Sequence, residues 1–185
     1  MNWSEDFTNR LLGRVGFYKC KCCGRIKRGP PLSYFLKYPE YWFEVPESER
    51  EKRSTFLNEG ELCQIDQHCF VKGNVQLPIR DSKDMFAWTV WVSLSPVNFQ
   101  RALQLWDRDE RTCEPPYFGW LSTALPGYPE STVNLKTHLH FAKPGDRSRI
   151  ELEPTNHPLA VEQREGITMN RVKEFAAIFH QQFPS

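Results

Sequence analysis

Three cysteines stand close together near the start of the chain, in Tyr18-Lys-Cys-Lys-Cys-Cys-Gly-Arg25. Cys20 and Cys23 have the Cys-x-x-Cys spacing, and Gly24 follows at once. Two thiolates at this spacing can bind one soft cation from a single tight turn, and glycine permits the left-handed backbone that such a turn often needs. Segment 18–28 therefore predicts a small zinc-knuckle-like element with a structural metal ion.

Tetrahedral zinc needs four ligands, so two must come from elsewhere in the chain. The nearest suppliers are Cys63, His68 and Cys69. His68 comes five residues after Cys63, so a tight turn between them can aim both side chains at one point. The predicted zinc ligands are Cys20, Cys23, Cys63 and His68, with Cys69 as the alternative for the fourth position. In a competing interpretation, Cys63 and Cys69 are small buried core residues.

A second group of reactive side chains lies near the C-terminus. Glu151 and Glu153 alternate along a predicted strand, so they face the same side and can share a proton or a cation. His157 follows in the next loop and can join them, as can His138 or His140 from the neighbouring predicted strand. This group predicts a general acid/base site. The alternative is that His157 and the proline after it simply begin a helical turn.

Tryptophan side chains are candidates for a binding surface. Trp88 and Trp106 fall on apolar faces of a predicted strand and a predicted helix, which indicates core positions. Trp91 and Trp120 fall on the opposite faces of their segments. We therefore predict that Trp91 and Trp120 contribute to a partner-binding surface.

These side chains must be positioned by strands and two main helices. Phe86 to Leu94 alternates between apolar and mixed faces, as does Val133 to Phe141, which is typical of strands. Gly73 and Asn74 predict a turn between two short strands, because glycine and asparagine favour turns. The hydroxyl residues Ser95 and Thr168 are good N-caps for helices.

The pattern predicts one α+β domain over residues 17–185, preceded by an N-terminal extension over residues 1–16. In this domain an antiparallel sheet is packed by helices 96–108 and 168–182. The cysteine knuckle is expected to attach the N-terminal segment to a hairpin at 62–72.

Composition and charge exclude several classes of protein. Hydrophobic residues make up 39% and aromatic residues 14% of the 185 residues, which indicates a folded domain. No apolar signal segment or stretch of roughly 18 apolar residues is present, so we expect a cytoplasmic protein without a membrane role. Residues 10–28 are strongly basic, but residues 40–51 are acidic and the formal net charge is +1. This balance disfavours nucleic acid as a partner.

Several motifs together resemble one bacterial protein family, the domain of unknown function 2199. They are Cys20-Lys-Cys-Cys-Gly24, Pro31-Leu-Ser-Tyr34, Phe70-Val-Lys-Gly73, Val90-Trp-Val-Ser-Leu-Ser95, Pro116-Tyr-Phe-Gly-Trp-Leu121, Leu135-Lys-Thr137 and the block from Ile150 to Ile167. The similarity runs from about Phe17 to the C-terminus. It implies a bacterial single-domain protein, and no particular activity.

The common nucleotide-binding and hydrolase motifs are absent from the sequence: there is no Walker A loop, Gly-x-Gly-x-x-Gly, His-Glu-x-x-His or Gly-x-Ser-x-Gly. We therefore expect a non-enzymatic protein whose partner is another protein, one version being an immunity or antitoxin-type protein. The alternative is a small metal- or acid/base-dependent enzyme that uses Glu151, Glu153 and His157.

Overall fold

The computed structural model describes residues 17–19, 26–80 and 82–182. The strands within them are β1 (Phe17–Lys19), β2 (Ile26–Arg28), β3 (Ser33–Phe35), β4 (Ser54–Leu57), β5 (Leu62–Ile65), β6 (His68–Pro78), β7 (Met85–Leu94), β8 (Tyr117–Leu121), β9 (Lys136–His140) and β10 (Arg149–Leu152). The helices are α1 (Tyr41–Glu44), α2 (Arg50–Arg53), α3 (Pro96–Leu105), α4 (Pro158–Glu165) and α5 (Met169–Gln182).

Five of the strands close into a small barrel. Each of β6 to β9 pairs antiparallel with the strand that follows it in the chain, and β10 returns to pair with β6. Five consecutive antiparallel strands start and end in the same direction, so the closing pair must be parallel. The predicted mixture of strands and helices in one domain is confirmed, but the predicted antiparallel sheet is closed by a parallel β10–β6 pair.

The long strand β6 passes straight through Gly73, where the sequence predicted a turn. That prediction is wrong, because Gly73 pairs with Val90 within an unbroken β6–β7 ladder. A β-carbon built on Gly73 would lie 2.8 Å from two side-chain carbons of Ile150 and 2.9 Å from the carbonyl oxygen of Ser148. Glycine is therefore needed here so that β10 can approach β6 closely.

Apolar side chains fill the barrel because successive residues of each strand point alternately inward and outward. Val71, Val75 and Leu77 of β6 point inward and are fully buried. Helix α5 packs Phe175 into the same core, with its ring centre 5.2 Å from Phe86 and 5.1 Å from Trp88. The last helix, which was predicted to pack on the sheet, thus contacts the barrel core through this side chain.

A second, smaller core lies on the outside of the β5–β6–β7 sheet. It consists of Val45, Cys63, Ile65, Phe70 and Trp91. Trp91 is fully buried there, so the prediction that it lies at the surface is wrong. Strands β4 and β5 and the segment that contains α1 extend beyond the barrel and cover this side of β7.

The helix N-caps follow the predicted chemistry. The Ser95 hydroxyl accepts a hydrogen bond from the Asn98 amide, and the Thr168 hydroxyl accepts one from the Arg171 amide. At His157 the alternative prediction was only the start of a helical turn, whereas the structure has the complete helix α4. Its N-cap is His157, whose Nδ1 accepts a hydrogen bond from the Leu159 amide at 3.1 Å.

Two side chains hold β10 and the loop before it in place. Gln163 of α4 accepts a hydrogen bond from the Leu152 amide and donates one to the Ile150 carbonyl, each at 2.8 Å. Arg111 is buried and donates four hydrogen bonds to carbonyl oxygens, three of which belong to the loop between β9 and β10. These contacts fix β10 along the barrel.

The close approach at Gly73 can be tested by substitution. Gly73→Ala is expected to lower the free energy of unfolding by about 1–3 kcal/mol, because the added methyl group meets the backbone of Ser148 and the side chain of Ile150. The control is Gln76→Ala, a half-buried position on the same strand, with an expected change below about 1 kcal/mol. Urea unfolding followed by circular dichroism measures both. Equal stability of the Gly73→Ala variant and the original protein would contradict the parallel closure described above.

Candidate functional site

The outward-facing side chains of β8, β9 and β10 form one continuous surface, which we call the outer face. Register places Phe118 opposite His138, His138 opposite Glu151, and His140 opposite Arg149. From these strands the surface includes Phe118, Trp120, Lys136, His138, His140, Arg149 and Glu151, and Glu153 directly after β10 completes it. The alternation of each strand explains the arrangement, since the residues between these positions fill the barrel.

The carboxylate of Glu151 contacts two side chains on the outer face. Its Oε2 atom lies 2.9 Å from His140 Nε2 and 3.0 Å from the Arg149 guanidinium. The contact of His140 Nε2 with Glu151 is close but does not have the geometry of a hydrogen bond. The carboxylate is thus shared between a cation and an imidazole.

Glu153 repeats this arrangement along the same face. Its carboxylate lies 3.5 Å from His138 Nε2 and 3.9 Å from Lys136 Nζ. The Glu153 amide also donates a hydrogen bond to the Lys136 carbonyl, which continues the β9–β10 pairing. The predicted meeting of the two carboxylates with His138 and His140 is therefore present in the structure.

The surroundings of His140 favour its neutral form. Partial burial and the nearby Arg149 keep the pKa of His140 below its ordinary value of 6.5, although Glu151 acts in the opposite direction. A neutral imidazole beside a carboxylate can accept and return a proton, which is the chemistry expected of a general base. The outer face is chemically capable of such exchange.

Two exposed aromatic rings adjoin these ionic contacts. Phe118 and Trp120 are each 40% exposed, and their ring centres lie 5.3 Å apart with the planes at 82°. Phe118 also contacts His138, at 6.0 Å between ring centres. Trp120 was predicted at the surface and is there, whereas Phe118 was missed. The same alternation that assigns Trp120 to this face also assigns Phe118 to it.

His157 lies in a different environment from Glu151 and Glu153. It is buried as the N-cap of α4, and its ring centre lies 5.9 Å from that of Tyr128. Tyr128 in turn donates a hydrogen bond to Glu162, which forms an ion pair with Arg171. Among the contacts of the described residues, none joins His157 to either carboxylate of the outer face, and its local role is helix capping.

The proposed metal ligands are only partly within the described residues. Cys20 and Cys23 lie outside them. Cys63 is fully buried in the small outer core, and burial raises the pKa of its thiol to about 12. His68 lies on the same side of the β5–β6 hairpin, with its ring 4.4 Å from that of Tyr41. Cys69 points to the opposite side, into the barrel.

Metal binding has no further candidate in the part of the chain that the structure describes. Nowhere in residues 17–19, 26–80 and 82–182 do three histidine, cysteine or acidic side chains converge to hold an ion. Likewise, none of the helices found there has the length and apolar character needed to cross a membrane.

Comparison with known families assigns the chain to one of them. A family model described as an uncharacterized protein conserved in bacteria, domain of unknown function 2199, matches residues 19–167. The chain belongs to this family. The resemblance inferred from the motifs is therefore confirmed. The match to the domain of unknown function 2199 includes all strands of the barrel and helix α4. No curated protein and no solved structure is significantly similar to the chain.

The contacts of His140 predict its pKa and the effect of Arg149 on that pKa. An NMR titration of the histidine ring signals is expected to place its pKa below 6.5, and Arg149→Gln is expected to raise that pKa, because the arginine disfavours the imidazolium. Lys83→Gln, at an exposed position outside this group, is the control and should leave the pKa unchanged.

The sign of the resulting pH dependence follows from linkage. Between the two pKa values the unfolded chain binds the proton of His140 more readily than the folded protein does. The contribution of this residue to stability is therefore complete above pH 6.5 and decreases as the pH falls. A measured pKa of His140 above 6.5 would contradict this pH dependence. It would mean that the effect of Glu151 on the pKa exceeds those of burial and Arg149.

Proposed function

We propose that this protein is an intracellular, non-enzymatic binding protein that docks another protein through the outer face. The observation that carries the proposal is the pair of exposed rings, Phe118 and Trp120, in contact with each other beside a row of paired charges. Binding energy at protein interfaces is concentrated in a few residues, among which tryptophan is enriched, surrounded by a polar rim.

The charges of the outer face support a protein partner in particular. Each carboxylate already has a cation beside it: Arg149 for Glu151, and Lys136 for Glu153. The face therefore has no excess of one sign, as a nucleic acid would require. Paired charges at a rim instead favour correct orientation and rejection of wrong partners. Inhibition of a toxin is one form of this function, since it needs a specific surface and no catalysis.

Photo-crosslinking tests the proposed surface. A photoreactive amino acid at position 118, expressed in the bacterium of origin, is expected to trap one protein, which is then purified. We expect the double variant Phe118→Ala with Trp120→Ala to weaken its affinity, measured by calorimetry, about 100-fold or more, because both rings lose their contacts.

The matched control is Phe35→Ala, which removes an exposed ring on β3. This variant is expected to bind the trapped protein as the original chain does. The proposal is wrong if a photoreactive residue at position 35 traps the same proteins as one at position 118. It is also wrong if the purified protein binds the double variant and the original chain equally well.

We also propose that the N-terminal hairpin carries a structural zinc ion bound by Cys20, Cys23, Cys63 and His68. Strands β1 and β2 support this, since Lys19 pairs with Ile26 and the six residues between them contain the Cys-x-x-Cys sequence. The opposite orientations of His68 and Cys69 favour His68 as the fourth ligand. The burial of Cys63 opposes a free thiolate, so its deprotonation would depend on the metal.

Elemental analysis tests the zinc proposal. Protein purified without added metal is expected to contain about one zinc ion per chain. Cys23→Ser and Cys63→Ser are each expected to lose it and to lower the melting temperature, whereas Cys113→Ser, at an exposed cysteine, is expected to change neither. Metal-free original protein would refute the site. Full zinc content in Cys63→Ser would refute the assignment of that ligand.

A further inference from the structure

A cleft of about 510 Å³ lies on the outside of the barrel, between β4, the start of β6 and the segment that leads into α1. This volume is within the range of pockets that hold small molecules. The cleft is separate from the outer face, since none of its lining residues belongs to β8, β9 or β10.

One wall of the cleft is aromatic. Tyr38 and Trp42 stack with their ring centres 4.4 Å apart and their planes within 4° of parallel. Phe56 of β4 meets both edge-on, at 5.8 Å and 5.5 Å between ring centres, and it is 37% exposed. Such a wall is suited to a flat, apolar ligand, because aromatic rings attract one another in stacked and edge-on geometries.

A largely buried cation, Lys72, lies in the same cleft. Its side chain is 14% exposed, and its Nζ atom lies 4.7 Å from the centre of the Trp91 ring. The nearest carboxylate oxygen, of Glu61, is 3.8 Å away, which is at the outer limit of an ion pair. Burial lowers the pKa of Lys72 and Arg147 acts in the same direction, whereas Glu61 opposes them, so Glu61 compensates the positive charge only in part.

The carboxylate of Glu61 is engaged by another residue. Arg147 donates to both of its oxygens, at 2.7 Å and 3.0 Å, in the two-pronged geometry that arginine forms with carboxylates. The carboxylate of Glu61 is therefore bound closely by Arg147 and only distantly by Lys72. An anionic ligand would supply Lys72 with the close ion pair that Glu61 does not form.

We propose that the cleft binds a small planar aromatic carboxylate, with its ring against the aromatic wall and its carboxylate on Lys72 Nζ. The charges at the rim agree with this orientation. Glu51 and Glu59 are exposed, so water and salt screen their repulsion of an anion, whereas the side chain of Lys72 is only 14% exposed. Lys37, which contacts the Tyr38 ring at the rim, adds a second positive charge.

Matched acid and amide probes test the proposal by calorimetry. Benzoate and indole-3-acetate are expected to bind with dissociation constants below about 1 mM. Benzamide and indole-3-acetamide, which keep the ring but lack the charge, are expected to bind about tenfold more weakly. Lys72→Met keeps an unbranched apolar side chain over Trp91 and removes the charge, so it should abolish the preference for the acids. Lys83→Met, outside the cleft, should leave it unchanged.

Several binding results would overturn the proposal. Equal affinity for acids and amides in the original protein would overturn the proposal, as would the absence of binding by all four probes at several millimolar. A preference for acids that survives Lys72→Met would show that another cation is responsible, and would also overturn it. If Lys72→Met does not fold, Phe56→Leu provides the second test. It should weaken benzoate and indole-3-acetate alike, and unchanged affinities would refute the aromatic wall.

Discussion

The closure of β10 onto β6 is the contact on which the rest of this structure depends. Because an odd number of strands follow one another antiparallel, the first and last run the same way, and they can join only as a parallel pair. That pair forms where β6 has Gly73, the residue without a side chain to keep β10 at a distance. The side-chain amide of Gln163 then forms two hydrogen bonds with the backbone of β10, as a neighbouring strand would. Once the barrel is closed, each strand has an inside and an outside, and both the buried core and the outer face are determined.

Closure also creates one of two chemically distinct surfaces that the described residues carry. On one side it aligns His138 and His140 with Glu151 and Glu153, beside the exposed ring of Phe118. On the other side the strands that extend beyond the barrel carry a second apolar core and the cleft that contains a lysine. The fold thus separates an ionic and aromatic face from a cleft lined by aromatic and charged side chains, and the two share no lining residue.

The sequence predicted the contents of the outer face better than the topology that assembles it. Alternation alone placed Glu151 and Glu153 together and His138 and His140 on the next strand, because side-chain direction along a strand is local. Gly73 was misinterpreted because glycine has two uses: it permits turns, and it allows another backbone to approach closely. Only the three-dimensional structure, in which Ile150 lies against Gly73, shows which of these two uses applies. The burial of Trp91 was missed for a similar reason, since the residues that cover it come from β5 and the α1 segment.

Closure of the barrel is tested most directly by NMR contacts between the backbones of β6 and β10. In the structure Asn74 is the partner of Arg149, and the Asn74 amide donates a 2.8 Å hydrogen bond to the Ser148 carbonyl. A closed barrel is expected to give a nuclear Overhauser effect between the Asn74 amide proton and the α-proton of Arg149, together with slow exchange of that amide. Rapid exchange at Asn74 and no such effect, with the β6–β7 contacts intact, would contradict it.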